Sequence, residues 1–269
     1  MRKLLFVAAI AALAAACQPA SAPSSDTTSA TAVATATGEA PRDISSNVSA
    51  SAPYITAAVA DTHRPAADRA QDAARHPAET LALSGVAPGQ KIAELLPGEG
   101  YFTRLFSNAI GAQGRVYAIS RSAHDQYEHV VLESTPNVTN VIQPYDRFTV
   151  PAPVDLVFTA RNYHDFKINQ YGMGDTMALD RAAFAALRPG GVYVIIDHSA
   201  VAGAVEDQLH PLHRIDQAAV RREVESVGFV YDGESQILRN PQDPRTASVF
   251  DPSIRGHTDQ FFMRFRKPN

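Results

Sequence analysis

The segment Lys91–Ser120, KIAELLPGEGYFTRLFSNAIGAQGRVYAIS, constrains the fold more than any other part of the chain. It opens with a short apolar run, Ile92 to Leu96, carrying one acid, Glu94. The run is too brief for a helix and is predicted to be a buried strand. Pro97-Gly98-Glu99-Gly100 follows, with two glycines where the chain must turn sharply and where a ligand could meet bare backbone. Phe102, Leu105, Phe106, Ala109 and Ile110 then recur at the spacing of one helix face, and Gly111 marks the stop. Arg115 to Ser120 returns as a second strand. Strand, glycine turn, helix and strand make the first unit of a nucleotide-binding α/β fold, in which the helix offers unpaired N–H groups to a carboxylate or phosphate. Gly-x-Gly alone says little, because tight turns use glycine for steric reasons. The acid at the strand end, the amphipathic helix and the second strand directly after it give the pattern its weight.

Beyond Ser120 the alternation continues. Helix is expected over Ser122–Glu133, a third strand over Asn137–Ile142 and a fourth, fully apolar apart from its first residue, over Asp155–Thr159. A helix over Asp175–Leu187 is ended by Arg188-Pro189-Gly190-Gly191, which launches a fifth strand, Val192–Asp197. Asp216–Val227 reads as a helix stopped by Gly228, with Asp216 as its N-cap. Phe229–Leu238 and Gln260–Lys267 are the last strand candidates, separated by a polar, proline-containing stretch of the kind that often serves as a lid. Alternating elements of this length argue for a parallel sheet covered on both faces. Ahead of the first strand, Thr62–Gly89 reads as two helices split near Pro77, with Arg69, Asp72 and Arg75 spaced for ion pairs on a helix surface.

The N-terminal part differs. Met1-Arg2-Lys3 followed by apolar Leu4–Ala16 has the form of an export signal, too short to span a bilayer as a helix. Small residues lead into Cys17, the one cysteine, so no intrachain disulfide can form. The pattern is similar to a bacterial lipoprotein signal, residues 1–16, with Cys17 acylated after cleavage; ordinary cleavage near Ala22 is the alternative, disfavoured by Pro23. Gln18 after the cysteine points, by the same similarity, to the outer membrane and a periplasmic location. Residues 17–60, rich in Ala, Ser, Thr and Pro, are expected to be a disordered tether. Formal charge is −4 with no basic run, which argues against a nucleic-acid partner. One domain over 61–269 is the expected organisation.

Three further motifs stand out: Asn162-Tyr163-His164-Asp165 after the fourth strand, Leu187 to Gly191 before the fifth, and Arg214-Ile215-Asp216 before a helix ending in Gly228-Phe229. With E-x-x-P-G-x-G-Y-F-T at Glu94–Thr103 and V-Y-A-I at Val116–Ile119, they resemble a bacterial, often secreted branch of class I S-adenosylmethionine-dependent methyltransferases, over roughly Thr62–Pro268. The resemblance implies a Rossmann-like three-layer α/β sandwich, with a seven-stranded, mostly parallel sheet whose last strand is antiparallel. It also implies S-adenosyl-L-methionine as cofactor and a small-molecule acceptor, with the membrane met only through Cys17.

In an open parallel sheet, ligands bind beyond the carboxyl ends of the strands. By resemblance, Glu94, Gly98 and Gly100 would cradle the amino-acid part of the cofactor, with Pro97 beside them and Glu99 an alternative holder of the ribose; Tyr145 or Asp146 would reach the adenine, and Asn162 would touch the cofactor from the fourth strand. Ser120 stands where the family places an acid for the ribose hydroxyls, and a hydroxyl is a weaker acceptor than a charged bidentate carboxylate. Tyr163, His164 and Asp165 are the catalytic candidates, a His beside an Asp being able to deprotonate an acceptor; a hydrogen-bonded turn is the structural alternative. Asp165 with Asp197 matches the paired acids that hold Mg²⁺ in some O-methyltransferases, whereas His198, His210 and His213 match no closed zinc spacing, so no metal ligand is assigned. Two readings follow: a tethered methyltransferase, or an envelope lipoprotein that keeps the fold, lacks the reaction and binds a nucleoside-like or other small ligand. Ser120 and the export signal favour the second; the glycine turn and N-Y-H-D favour the first.

Overall fold

The computed structural model describes residues 42–45, 50–121, 135–205 and 209–269. The expected export signal, Cys17, most of the expected tether and the helix expected over Ser122–Glu133 lie outside these residues. In chain order, α1 (Pro53–Ala60), α2 (Ala66–Arg69), α3 (Asp72–Arg75) and α4 (Pro77–Ser84) lead to β1 (Lys91–Leu95), α5 (Tyr101–Ile110) and β2 (Arg115–Ser120). Next come β3 (Val138–Ile142), β4 (Val154–Ala160), α6 (Thr176–Ala186) and β5 (Leu187–His198). The chain closes with α7 (Leu209–Leu212), α8 (Gln217–Ser226), β6 (Val230–Ser235) and β7 (Gln260–Arg266).

The strands form one sheet in the order β3-β2-β1-β4-β5-β7-β6. β7 runs antiparallel to β5 and β6, and the other pairings are parallel. This is the expected α/β, Rossmann-like sheet. Its inner strands read as near-continuous apolar runs because both faces are covered. Ala93, Leu95, Tyr117, Ile119 and Val157 join one core cluster, and their chain neighbours Ile92, Val116, Leu156 and Phe158 join the other. On the second face, Phe102 and Phe106 of α5 meet Phe158 edge-on at ring distances of 4.8 and 4.9 Å. α6 and α8 begin at Asp175 and Asp216, whose carboxylates accept from Met177 N and Ala218 N at 3.0 Å; such caps contribute about 1 kcal/mol each.

Three expectations need correction. The 62–89 segment is split near Pro77 as expected, at left-handed His76 (φ 45°), but it forms three helical pieces, because a further break at Ala70-Gln71 divides the first helix into α2 and α3. Arg188-Pro189-Gly190-Gly191 does not precede β5 but belongs to it, accommodated by a bulge between Val154 and Leu156 of β4 and by Gly190 at φ 71°. The ordered part also reaches back across the expected boundary at residue 61. α1 buries Ile55 and Ala58, Ile44 is 2% exposed, and Asp43 bridges Glu234 of β6. A few apolar residues suffice there because they join the apolar cluster beneath α5. Among the described residues no helix is long and apolar enough to cross a membrane.

Candidate functional site

Between β1 and β4 the chain order of the sheet reverses, which opens a crevice above their carboxyl ends. Both strands leave the sheet through a left-handed non-glycine residue, Leu96 (φ 51°) and Arg161 (φ 64°). Such conformations cost about 1–3 kcal/mol and persist where the surroundings enforce them. Asn162 supplies part of that enforcement: its Nδ2 donates to Leu96 O at 3.1 Å, and its Oδ1 accepts from the Thr159 hydroxyl. The two exits are thereby tied together.

At the β1 exit, Gly100 N donates to Pro97 O at 3.0 Å and closes the glycine turn. Gly98 (φ 55°) has no atom within 4 Å of the place a Cβ would take, so its backbone is open to an incoming group. Glu94, on β1, is 3% exposed and accepts from the Thr103 hydroxyl at 2.6 Å. Burial pushes its pKa up to about 8, against the lowering effects of Thr103, Arg104 and Arg75. Glu99 is exposed, and its carbonyl accepts from Arg104 Nη2 at 2.6 Å. Ser120, at the end of β2, is 1% exposed.

The segment before β1 closes over α5 through Asp68 and Asp72. Arg104 grips Asp68 with two bonds of 2.6 and 3.0 Å; Arg64 grips Asp72 at 3.0 and 2.6 Å, and Tyr101 Oη donates to Asp72 at 2.7 Å. The helix-surface pairing expected of Arg69, Asp72 and Arg75 is therefore overturned. Arg75 instead stacks over the Tyr101 ring at 4.5 Å, with Nε buried and unpartnered. Next to it is Arg161, whose Nε donates to Gln260 Oε1 at 2.9 Å. Burial, then the charge of Arg75, lower the Arg161 pKa to about 9.

Beyond β4 and β5 lies the densest polar cluster. Asp197, fully buried, accepts from His164 N and His164 Nδ1 at 2.8 Å each and from His198 N at 2.7 Å. His164 Nε2 lies 3.1 Å from Asp165 Oδ1 and 3.1 Å from His213 Nδ1. His213 Nε2 is 3.2 Å from the Tyr171 hydroxyl. Burial disfavours charge on His164, but Asp197 and Asp165 outweigh it and raise its pKa to about 10. His198 shifts the other way, lowered by burial and by Arg161. His164, Asp165 and His213 line a cavity of about 780 Å³ whose far wall includes Leu96, Arg121 and Phe250. A second cavity, about 670 Å³, lies beneath α3, the Ala70-Gln71 link before it and the 237–242 loop; Arg161 borders both.

The structure brings His164 and Asp165 to the larger cavity but not all their expected companions. Tyr163 is fully buried in the core, and its hydroxyl donates to Asp180 Oδ2 at 2.8 Å, so it cannot touch a substrate. Tyr145 is equally buried, edge-on to Phe166 at 5.1 Å, and does not reach outward to an adenine. Asp146 is a quarter exposed and abuts Gly174. Both ends of the Asn162 amide are engaged by protein, which makes it a positioning residue. Asp197 has its carboxylate committed to His164 and His198, which removes it from the pair with Asp165 that could have held Mg²⁺. Arg161, Tyr171 and Phe250 were not foreseen; only the place of Arg161, directly before N-Y-H-D, gave a signal.

No protein-family model matches the sequence, and no curated protein matches it. Solved structures do. The chain is similar to an S-adenosylmethionine-dependent methyltransferase from Mesorhizobium loti (TM-score 0.52, 16% identity, 73% of this chain and 100% of that one). It is similar also to one from Aquifex aeolicus (0.50, 17%, 70% and 87%). A third likeness is to an arsenic(III) S-adenosylmethionine methyltransferase from Chlamydomonas reinhardtii (0.50, 15%, 81% and 74%). At these identities the likeness establishes the fold.

Proposed function

We propose that the chain is an S-adenosylmethionine-dependent methyltransferase acting on a small molecule. The observation that carries this reading is the open glycine turn: Gly98, with clear space where a Cβ would stand, follows β1 and its buried acid Glu94 at the point where the strand order reverses. The donor set suits the amino-acid end of the cofactor. A carboxyl group meets an ammonium, and the free N–H groups at the start of α5 meet a carboxylate. Ser120 offers the ribose no charged acceptor, and its burial leaves that end of the cofactor to other groups.

When bound, the cofactor supplies an electrophilic methyl group. The chain's own part is to hold the acceptor in line and keep water away. His164 and Asp165, on the cavity wall, are the groups placed to orient a polar acceptor, while Asp197 fixes the His164 ring through Nδ1. Leu96, Met173 and Phe250 give the same cavity an apolar side, which suits a small organic molecule. We also propose export and attachment through an acyl group on Cys17, supported by the pattern of residues 1–17.

Titration calorimetry of the full chain with S-adenosylmethionine and S-adenosylhomocysteine tests the reading. Binding is expected, and Gly98→Val, which fills the open turn, should abolish it. The absence of both heat and thermal shift at millimolar ligand would overturn the assignment. Ser120 favours a second reading, a cleft that binds such a ligand without transferring its methyl group. Cofactor binding with no methyl transfer across a panel of small polar acceptors would support that one.

A further inference from the structure

We propose that His164, Asp165 and His213 form the binding site of a divalent first-row transition-metal ion, of the zinc or iron(II) class. The three ligand atoms stand 3.1, 3.1 and 3.5 Å apart. At metal–ligand distances of about 2.1 Å, the edges of an octahedron measure about 3.0 Å and those of a tetrahedron about 3.4 Å. The triangle is therefore already the size of one face of a coordination polyhedron. The ion would sit just off that face, towards the 780 Å³ cavity that all three residues line, leaving positions open for water or a substrate oxygen.

The hydrogen bonding gives an independent reason. Asp197 accepts from His164 Nδ1, so an ion that displaced any proton on Nε2 would meet a lone pair there. That lone pair faces His213 Nδ1 and Asp165 Oδ1. Asp165 Oδ1 is buried yet accepts no hydrogen bond of acceptable direction from either ring. One proton shared between the two ring nitrogens serves only that pair, whereas a cation in its place would meet all three atoms. His164 Nδ1 has the carboxylate partner that metal-binding histidines use, and the Tyr171 hydroxyl stands 3.2 Å from His213 Nε2 in the corresponding outer place. Two imidazoles and one carboxylate select zinc or iron(II) over magnesium or calcium, which prefer oxygen throughout. The motif is split across the chain, His164-Asp165 after β4 and His213 before α8, which is why the histidine spacing shows no pattern.

The proposal holds whether or not methyl transfer occurs, and its test reads metal alone. The full chain, stripped with a chelator and dialysed, is titrated with Co²⁺ and then Zn²⁺, following visible cobalt bands and the retained metal by mass spectrometry. One ion per chain is expected, with Zn²⁺ displacing Co²⁺. His213→Ala and Asp165→Ala should remove the bands while circular dichroism shows folded protein. Tyr171→Phe, which deletes one hydroxyl from an outer position, should weaken affinity about tenfold or more. A folded parent chain that retains no metal and shows no cobalt band would overturn the proposal, as would binding that the His213 and Asp165 substitutions leave unchanged. The first result would mean that a proton takes the cation's place, the second that any ion sits elsewhere.

Discussion

Glu94→Gln isolates the energetic consequence of burying an acid beneath the glycine turn. Glutamine keeps the shape of the protonated side chain and can still accept from the Thr103 hydroxyl, which lies 2.6 Å from Glu94 Oε2. Unfolded, Glu94 titrates near 4.5; folded, burial holds the pKa at about 8. The folded state thus binds this proton more tightly than the unfolded chain. The stabilisation is complete below about pH 4.5, falls as pH rises through the interval, and is lost above about pH 8. At 1.36 kcal/mol per pKa unit the swing is about 5 kcal/mol, and half of that would be easy to measure. Urea denaturation of parent and variant, followed by circular dichroism at a series of pH values, gives the comparison. The variant should gain on the parent steadily across the interval and level off above it. A difference independent of pH would show that Glu94 is ionised throughout, and the argument from burial would fail.

Two further outcomes follow from the core. Tyr163→Phe should cost about 1–3 kcal/mol in urea denaturation, by stripping buried Asp180 of its 2.8 Å donor, and leave ligand binding in calorimetry unchanged. Arg214→Met breaks the Arg214–Asp243 pair, whose side chains are both fully buried and joined at 2.8 and 3.1 Å; a loss of about 3–5 kcal/mol of stability is expected by the same assay.

Signals that are local in the chain were legible in it. The β1–α5–β2 unit follows from apolar runs and glycines, and the caps at Asp175 and Asp216 from residue type at a helix start. Signals that depend on distant partners were not. Asp68 is matched by Arg104, 36 residues away, while helical spacing had suggested pairs within its own segment. His164 finds Asp197 and His213 at separations of 33 and 49 residues. The N-Y-H-D motif shows a second limit. Its four residues make a tight turn, so neighbours face opposite ways, with Tyr163 buried in the core and His164 on the cavity wall. A motif marks where the chain turns but not which side chain looks out.

The strand that ends the sheet beside β7 is not left bare. Ile44 N donates to Glu234 O and Glu234 N donates to Arg42 O, each at 2.9 Å, while Gly233 leaves room for Ile44 to lie flat against it. This short lead-in works as a hem on the outermost β-segment, occupying backbone groups that another molecule's strand could otherwise recruit. A recombinant version trimmed to the recognisable domain would unpick that hem. Any self-association it then showed would reflect the cut rather than a habit of the native protein.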